Sequence, residues 1–370
     1  MKKDRLYKKD SKGKIRVLDI EIEGNGFRTI SGLEDGKLVT SAWTVCTPKN
    51  IGKINETTSE EQAILEGTAA YDKKLREHYV LDREEAEEGD GNYFKVMLAV
   101  DKDKVKGFPP FPYIADYKLD GMRFTTSSEG GCSRKGTKVP AAEHIEELMK
   151  AELRLTPDLT FDGEIYNHKL KSNFEYLMHL SRSQSFTPDE KKECISMLEY
   201  HIYDMDSSTE EIAAWQRKEI IEMFVERMKH PYLQLVHSET VNNQAELDAF
   251  EEKALSLGYE GVILRSPTEP YLHTRTKYLI KVKRFITEEF IIIGVLEGEG
   301  NNAGMAGKIV IRKPSGAEVE CGLRASHEKR KLMLISAKDL IGKQATIRHF
   351  GCTPKDSLRF PVCIDINRKE

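Results

Sequence analysis

The sequence of 370 residues is long enough for two or three domains, and its 39% hydrophobic and 32% charged residues are typical of a globular protein rather than a disordered one. No apolar run approaches the roughly 18 residues of a membrane span, and the chain does not start with a hydrophobic signal segment. The cysteines are scattered without a C-x-x-C pair, which argues against structural zinc and a disulfide framework. We therefore expect a cytoplasmic protein with no membrane partner.

The net charge of −4 does not indicate a nucleic-acid partner, but the charges are unevenly distributed. Residues 1–57 carry 12 Lys and Arg against 8 Asp and Glu, whereas residues 82–90 form an acidic run. A basic stripe on one face is therefore compatible with the near-neutral total.

The predicted N-terminal module covers residues 1–80 and begins with an antiparallel meander. Leu18, Ile20 and Ile22 alternate with acidic residues, and this two-residue period predicts a half-buried strand. Turns at 24–26 and 35–36 then predict further strands at 27–33 and 37–45. The three strands form the sheet of a small α+β unit.

A helix is predicted to follow this sheet. Ser59 and Gln62 are spaced as a capping box at its start, and the helix runs to about residue 79. Four of its side chains are spaced for burial: Ile64, Leu65, Tyr71 and Leu75. The acidic run then belongs to a linker over residues 81–92.

Two further domains are predicted beyond the linker. Residues 93–284 alternate short apolar strands with amphipathic helices, two of which cover 141–153 and 210–229. Residues 288–370 contain strand-like runs at 290–296, 308–312, 318–321 and 344–349, with a helix near 327–338. Short strands in such close succession predict a small barrel of the oligonucleotide-binding type.

The functional interpretation rests on the six residues from Lys118 to Arg123. An apolar run ends at Lys118, and the Asp-Gly pair that follows is a strong turn signal. Lys118 is therefore predicted to end a strand and to point into the cleft beside it. There its neutral amine can attack an electrophile, and the neighbouring cation Arg123 favours that neutral form. Taken alone, the same residues also describe a surface turn with two solvated cations.

Five further short motifs follow in order along the chain. They contribute one arginine, two carboxylates at strand ends, one aromatic ring and two lysines on one face of a strand: Arg134, Glu164, Tyr203, Glu260, Lys281 and Lys283. Each motif alone has an ordinary structural explanation, such as a solvated strand end or an exposed sheet edge. Their combination is more informative than any one of them.

These residue types suit the transfer of a nucleotidyl group from ATP, which requires a nucleophile, neutralised phosphate charge and fixed geometry. Lys118 can be the nucleophile, and the two strand lysines can flank the α-phosphate. The two carboxylates can hold a ribose hydroxyl or Mg²⁺, and Tyr203 can stack on the base. The sequence therefore predicts a nucleotidyl-transfer site.

The ordered motifs resemble those of the ATP-dependent DNA ligases, which are covalent nucleotidyltransferases like mRNA capping enzymes and RNA ligases. The likeness covers roughly residues 95–370, and the arginine in K-x-D-G-x-R favours a DNA ligase over the RNA-joining relatives. The resemblance implies an α+β fold class, with a nucleotidyltransferase (adenylation) domain followed by an OB-fold β-barrel. It also implies a monomer that uses ATP with Mg²⁺ or Mn²⁺ and acts on nicked double-stranded DNA.

The same resemblance implies a role for each motif residue. Lys118 would form the lysyl-AMP phosphoramidate. The nucleotide would be held by six residues: Asp116, Arg123, Glu164, Tyr203, Lys281 and Lys283. The 5′-phosphate of the nick would be contacted by three arginines: Arg123, Arg134 and Arg275. A metal ion would be held by two carboxylates: Glu260 and Glu164. Within the nucleotide set, Asp116 and Tyr203 would meet adenine and Glu164 the ribose.

Two regions depart from the family pattern. The last motif, usually Arg-x-Asp-Lys, is only echoed near the end of the chain, where we assign the pyrophosphate-orienting role to Arg368. The N-terminal module is faintly similar to WGR-type domains, which bind DNA ends and breaks, and a packing role is the alternative. The small size of the chain points to a viral or bacterial ligase. If the source is a virus, the protein would act in the cytoplasm of the host cell.

Three other functions share parts of this pattern. An mRNA guanylyltransferase has the same lysine and the same two-domain layout, but it takes its nucleotide from GTP. An RNA or RNA–DNA end-joining ligase would use similar chemistry on a different end. A non-catalytic scaffold would bind nicked DNA without ever becoming adenylylated.

Overall fold

The computed structural model describes residues 1–10, 12–88, 93–105, 110–353 and 356–366. The chain divides into the unit Tyr93–Arg284 and a unit formed by the flanking segments Met1–Asn92 and Phe285–Glu370. No helix within the described ranges combines the length and the apolarity that a membrane crossing requires. The predicted α+β class is confirmed by an antiparallel N-terminal sheet, a mixed central domain and a closed C-terminal barrel.

The N-terminal module is an antiparallel sheet with two helices. Its described elements are β1 (Leu6–Lys9), β2 (Ile15–Glu23), β3 (Gly26–Leu33), β4 (Val39–Thr40), β5 (Thr44–Val45), α1 (Ser59–Arg76) and α2 (Arg83–Glu88). The strand expected at 37–45 is divided into β4 and β5, which both pair with β3. The division arises because the Ser41 hydroxyl, rather than a backbone carbonyl, accepts the Thr29 N–H at 3.0 Å.

The capping box of helix α1 lies one residue earlier than predicted. The hydroxyl of Thr58 accepts the N–H of Glu61 at 3.2 Å, and the Glu61 carboxylate accepts the N–H of Thr58 at 2.8 Å. The prediction of Ser59 and Gln62 was therefore wrong by one position, because Thr58 and Glu61 have the same spacing and also fit the capping-box pattern.

The buried face of α1 also differs from the prediction. Tyr71 is buried, but Ile64, Leu65 and Leu75 are exposed at 46%, 55% and 37%. Gly67 packs so closely on the sheet that a Cβ atom there would come within 2.7 Å of the Cδ1 atom of Ile22. The helix approaches the sheet through small residues, and the larger aliphatic side chains on either side face outward.

The acidic stretch is not an extended linker over its described part. Residues Arg83–Glu88 form α2, in which Ala86 is buried. Arg83 donates to Glu34 at 2.9 Å, and the amine of Lys9 donates to the carbonyl of Glu87 at 2.8 Å. These contacts make α2 part of the N-terminal module, and residues 89–92 of the predicted linker lie outside the described residues.

The central domain contains two five-stranded sheets. Its described elements are β6 (Leu98–Asp101), β7 (Tyr113–Lys118), β8 (Met122–Ser127), β9 (Gly130–Ser133), α3 (Glu143–Leu153), β10 (Leu159–Tyr166), α4 (Phe174–Arg182), α5 (Pro188–Met197), β11 (Glu199–Ser207), α6 (Ala214–Met228), β12 (Leu233–Leu235), β13 (Ser238–Val241), α7 (Gln244–Ser256), β14 (Gly261–Arg265) and β15 (Arg275–Val282). The sheet orders are β12-β11-β10-β8-β9 and β13-β7-β14-β15-β6. The helices predicted at 141–153 and 210–229 correspond to α3 and α6.

One hydrophobic core contains side chains from both sheets of the central domain. Tyr113 of β7 and Phe124 of β8 are fully buried in it, although these consecutive strands belong to different sheets. The ring of Phe124 meets that of Tyr200 edge to face with centroids 5.6 Å apart. The turn after Lys118 therefore crosses from one sheet to the other.

The C-terminal domain is a closed five-stranded barrel. Its described elements are β16 (Ile286–Glu297), β17 (Ala306–Arg312), β18 (Glu318–Leu323), α8 (His327–Ile335), α9 (Ala337–Leu340), β19 (Gln344–His349) and β20 (Val362–Ile366). The barrel order is β16-β17-β18-β20-β19, so the predicted OB-type barrel is confirmed. Strand β20 was not predicted, yet it closes the barrel by pairing parallel to β18 and antiparallel to β19.

Candidate active site

Lys118 ends β7, as the turn signal predicted. Its amine donates to the carboxylate of Glu260 and, at 3.2 Å, to the carbonyl of Leu119. The backbone holds this pair together, because the Glu260 N–H donates to the Lys118 carbonyl at 3.1 Å. Gly261 is the register partner of Lys118 across β7 and β14. Sheet pairing alone therefore brings together two residues that are far apart in sequence.

Glu260 links Lys118 to a second lysine, Lys283, which donates to its other carboxylate oxygen. These three residues form the lysine cluster, and their side chains remain 15–24% exposed. Burial acts to raise the pKa of Glu260, but the two lysine charges outweigh it and hold that pKa below its usual value. Burial, together with the charge of Lys118, lowers the pKa of Lys283. The cluster contains one carboxylate between two amines.

Lys281 lies two residues before Lys283, near the end of β15. Its amine lies 3.1 Å from the carboxylate of Asp101, a residue of the neighbouring strand β6. Both side chains are partly exposed, at 28% and 40%. Such a pair contributes little to stability, so phosphate oxygens can replace Asp101 as partners of Lys281.

Arg123 on β8 is held by a buried carboxylate. Its guanidinium forms two hydrogen bonds to Asp162, one of them 2.9 Å long. The hydroxyl of Tyr271 also donates to Asp162, at 2.6 Å, and accepts the backbone N–H of Met97 at 2.9 Å. The orientation of Arg123 is therefore fixed by its neighbours.

Glu164 lies beside Arg123, which is its register partner on β8. The Tyr203 hydroxyl lies 3.4 Å from its carboxylate, and the Arg123 guanidinium lies 5.8 Å from the centre of the Tyr203 ring. Burial raises the pKa of Glu164 to about 7, although the charges of Lys118 and Arg123 oppose the rise. The predicted ribose-contacting and adenine-contacting residues, Glu164 and Tyr203, are thus in contact.

The turn after Lys118 packs directly against the strand that carries Glu164. A Cβ atom on Gly121 would come within 2.4 Å of the Ile165 carbonyl oxygen and 2.7 Å of the Glu164 Cγ atom. Only glycine permits this approach, and the approach sets the spacing between the lysine and β10.

Asp116 lies on β7 but is almost fully buried. Its carboxylate accepts hydrogen bonds from Lys218 at 2.5 Å, Ser238 at 2.7 Å and Arg265 at 3.2 Å. Both of its oxygen atoms therefore already have donors, and its contact with adenine remains a prediction.

Arg265 extends these contacts into a larger set, which we call the buried ion network. It also donates to Asp204, and Arg217 donates to the same carboxylate at 2.7 Å. The members of the buried ion network are Asp116, Asp204, Arg217, Lys218 and Arg265. Burial lowers the pKa of Lys218, and the charge of Asp116 opposes this change.

Two of the predicted DNA-contacting arginines are exposed at strand ends. Arg134 is exposed in the turn after β9, and Arg275 begins β15, where it donates to the carbonyl of Ala99. Arg368 lies outside the described residues. Within those residues, no group of three or more His, Cys, Asp or Glu side chains is arranged to hold a metal ion. The roles of Arg134, Arg275 and Arg368 therefore remain predictions.

Several residues of the site were missed in the sequence. Asp162 had an available signal, because it precedes Glu164 by two positions in a strand and must share its face. Asp204 directly follows Tyr203 in the same strand, so its side chain points to the opposite face and strand period gave no signal for it. Tyr271 and Asp101 had no local signal, because only the pairing of distant strands brings them to the site.

Comparison with protein families gives two matches along the chain. A family described as ATP dependent DNA ligase domain matches residues 96–283, which is just over half of the chain. A family described as DNA ligase OB-like domain matches residues 297–366. The first match contains the lysine cluster, and the second lies within the barrel.

Individual relatives agree with these matches. The chain is 22% identical to a DNA ligase of Haemophilus influenzae over 251 residues, which cover 67% of this chain and 84% of that protein. It is 24% identical to a DNA ligase of African swine fever virus over 282 residues, covering 72% of this chain and 64% of the viral protein. A solved Lig E DNA ligase has the same fold, with a TM-score of 0.62 at 22% identity over 75% of this chain and all of that one.

Proposed function

The chain belongs to the ATP-dependent DNA ligase family, and we propose that it seals nicks in duplex DNA in three steps. The Lys118 amine attacks the α-phosphorus of ATP, which forms a nitrogen–phosphorus bond and releases pyrophosphate. An oxygen of the nick 5′-phosphate then attacks this phosphorus, so that AMP passes to the DNA and the lysine is restored. Finally the 3′-hydroxyl attacks the 5′-phosphate, forms the phosphodiester and releases AMP.

The observation that carries this proposal is the hydrogen bond between Lys118 and Glu260. An attacking amine must lose a proton, and Glu260 lies where it can hold the amine in place and accept that proton. Lys283 donates to the other oxygen of the same carboxylate, so Glu260 is held in position from both sides. A solvated surface lysine would lack both neighbours.

Phosphate charge can be neutralised by the lysines at the end of β15. Lys281 lies in β15 and Lys283 directly follows the last residue of that strand, Val282. Their present partners, Asp101 and Glu260, are partly exposed carboxylates that triphosphate oxygens can replace. This exchange would occur only when ATP is bound, and it would leave Glu260 with Lys118 as its partner.

The nucleoside part of ATP suits the surface of β8, β10 and β11. The Glu164 carboxylate can accept a ribose hydroxyl, and the Tyr203 ring beside it can stack on adenine. Arg123 is oriented by Asp162 and lies near both, so it can contact the adenylate and later the nick phosphate. These assignments are supported by the mutual contacts of the three residues.

A magnesium ion fits the donors present, and Mn²⁺ can substitute for it. Glu164 and Glu260 are hard oxygen ligands, and both interact with the charge of Lys118. Burial raises the pKa of Glu164 although Lys118 and Arg123 oppose the rise, and a cation bound to this carboxylate would favour its ionised form further. When bound, the ion would neutralise charge on phosphate oxygens.

The DNA partner is proposed to be a nicked duplex, bound by a monomer. Arg134 is exposed in a turn and Arg275 opens a strand, so both can reach a phosphate. Contacts of this kind carry little sequence information and weaken with salt. We also propose that the protein acts in the cytoplasm, which is the host's if the source is viral.

Nick sealing on a labelled duplex tests the proposal. The protein should join a nicked 5′-phosphorylated duplex with ATP and Mg²⁺, and should fail with GTP or NAD as nucleotide donor. Joining that depends on GTP would contradict the proposal. So would the absence of joining with every nucleotide donor, in protein first treated with pyrophosphate to remove bound AMP. The same duplex with ribonucleotides on one side of the nick would measure its tolerance for RNA.

A further inference from the structure

The loop between β5 and α1 presents two isoleucines to solvent. Ile51 is 73% exposed and Ile54 is fully exposed, although both are large β-branched aliphatic residues. They lie in the segment Lys49–Thr57, which we call the wedge loop. Connecting loops usually carry polar residues at such positions, so these two side chains require an explanation.

The wedge loop is held in shape by its own hydrogen bonds. Lys49 and Thr57 exchange two backbone hydrogen bonds at its base, of 3.1 and 3.0 Å. The Glu56 carboxylate accepts the N–H of Gly52 at 2.7 Å, and the Asn50 side chain donates to the carbonyl of Asn55 at 3.2 Å. The polar groups satisfy one another, and the aliphatic groups are left on the outside.

Helix α1 anchors the base of the loop. The Lys49 amine lies 2.7 Å from the Glu66 carboxylate, and the Gln62 side chain also donates to Glu66 at 2.8 Å. The Thr57 hydroxyl donates to Gln62, itself buried, at 2.8 Å. The exposed isoleucines are thus fixed to a folded domain and pay little conformational entropy on binding.

We propose that the wedge loop binds the DNA substrate by inserting Ile54, supported by Ile51, against a base step, while Lys53 contacts a phosphate. Aliphatic side chains of this size unstack base steps in proteins that bind the minor groove. Lys53 is exposed at the loop tip, and the wedge loop carries two lysines, at 49 and 53, against one glutamate, at 56. The inference rests on the proposed function, because that function supplies the DNA.

DNA fits the wedge loop better than a protein partner does. A stable protein interface buries about 800 Å² on each partner, far more than two isoleucine side chains offer. A wedge needs only one or two apolar residues, because phosphate contacts provide most of the affinity.

Binding of the nicked duplex to paired variants tests the proposal. The double variant Ile51→Ser, Ile54→Ser should bind roughly tenfold more weakly, whereas the control Ile64→Ser, Leu65→Ser should bind like the wild type. The control removes two exposed aliphatic residues from α1 of the same module. Equal affinity of wild type and wedge variant, or equal weakening in both variants, would overturn the inference.

Two further measurements identify the mode of binding. A fluorescent 2-aminopurine base is placed at successive positions of the duplex. Its fluorescence should increase at one base step when the wild type binds, and it should not increase there with the wedge variant. Lys53→Ala should lower the salt slope of binding by about one and leave that signal unchanged. If the fluorescence does not increase at any base position with the wild type, base-step insertion is refuted.

Labelling by ATP separates this inference from the proposed function. The wedge variants should still form the covalent enzyme–AMP at the wild-type rate, because the loop takes no part in the first step. If the wild type forms enzyme–AMP and seals nicks, but the wedge variant binds DNA equally well, only the role of the loop is contradicted. Wild-type protein that neither labels nor seals would contradict the proposed function itself.

Discussion

Strand β7 carries one member of each of two charge clusters, and the clusters differ sharply in burial. Lys118 belongs to the lysine cluster, whose side chains are 15–24% exposed. Asp116, two residues earlier, belongs to the buried ion network, in which Lys218 is 13% exposed and the other four side chains are 1–2% exposed. The same residue types therefore occur in two environments on one strand.

This difference separates charges that can exchange partners from charges that cannot. A buried ion whose partner is removed remains desolvated, so each member of the buried ion network depends on the others. In the lysine cluster, water and phosphate oxygens can replace a lost partner at little cost. We therefore expect mutations in the lysine cluster to affect chemistry, and mutations in the buried ion network to affect stability.

The largest effect on chemistry is expected from Lys118→Arg. The variant keeps a positive charge beside Glu260, but a guanidinium is not deprotonated and cannot attack ATP. Sealing should fall by about 10⁴-fold or more, while the melting temperature changes little. Substantial sealing by pure variant protein would show that another residue is the nucleophile.

The largest effect on stability is expected from Asp204→Asn. The change leaves the cations of Arg217 and Arg265 without their shared carboxylate in a buried site. The free energy of unfolding, measured with denaturant, should fall by about 3–5 kcal/mol. The exposed pair of Asp189 and Lys192 provides a control, because Asp189→Asn should leave the free energy of unfolding unchanged. Equal stability of the two variants would remove the distinction between the clusters.

Glu260→Gln tests the lysine cluster from its acidic side. The amide keeps the shape but cannot accept a proton from Lys118 or hold a metal ion as tightly. The rate of enzyme–AMP formation should fall by about 10²-fold with a nearly unchanged melting temperature. A loss of stability comparable to that of Asp204→Asn would mean that the lysine cluster is structural.

Glu164 should make stability depend on pH. Its pKa of about 7 lies above the ordinary 4.5, so between these values the folded protein holds a proton that the unfolded chain has released. The contribution of Glu164 to stability is therefore lost as pH rises through this window. Relative to Glu164→Gln, the wild type should lose up to about 3 kcal/mol between pH 5 and pH 8. Parallel stability curves for the two proteins would contradict the raised pKa.

Local patterns predicted the elements that depend on local physics. The strand around Ile20 and the turn after Lys118 were predicted correctly, because strand period and Asp-Gly turns act within a few residues. The strand is not simply half-buried, because Asp19 on its polar face is covered and hydrogen-bonded to Arg5. The face of α1 was predicted wrongly, because helix spacing does not reveal that Gly67 brings the helix close to the sheet.

The site was predictable where one motif carried the residue. Glu164 and Tyr203 each lie in a short motif, and their contact follows from strand pairing. The partners that orient them were not predictable in this way. Tyr271 reaches Asp162 only through the tertiary fold, and Lys218 reaches Asp116 from a helix about a hundred residues away.

The most direct test of this account is to map the covalent AMP. The protein is incubated with α-phosphate-labelled ATP and Mg²⁺, digested, and the labelled peptide is identified by mass spectrometry. We expect a single acid-labile adduct on the peptide that contains Lys118, and its loss when pyrophosphate is added. An adduct on Lys281 or Lys283 would contradict the assignment of Lys118 as the nucleophile. The absence of any adduct, in protein from which pyrophosphate has first removed bound AMP, would contradict it as well.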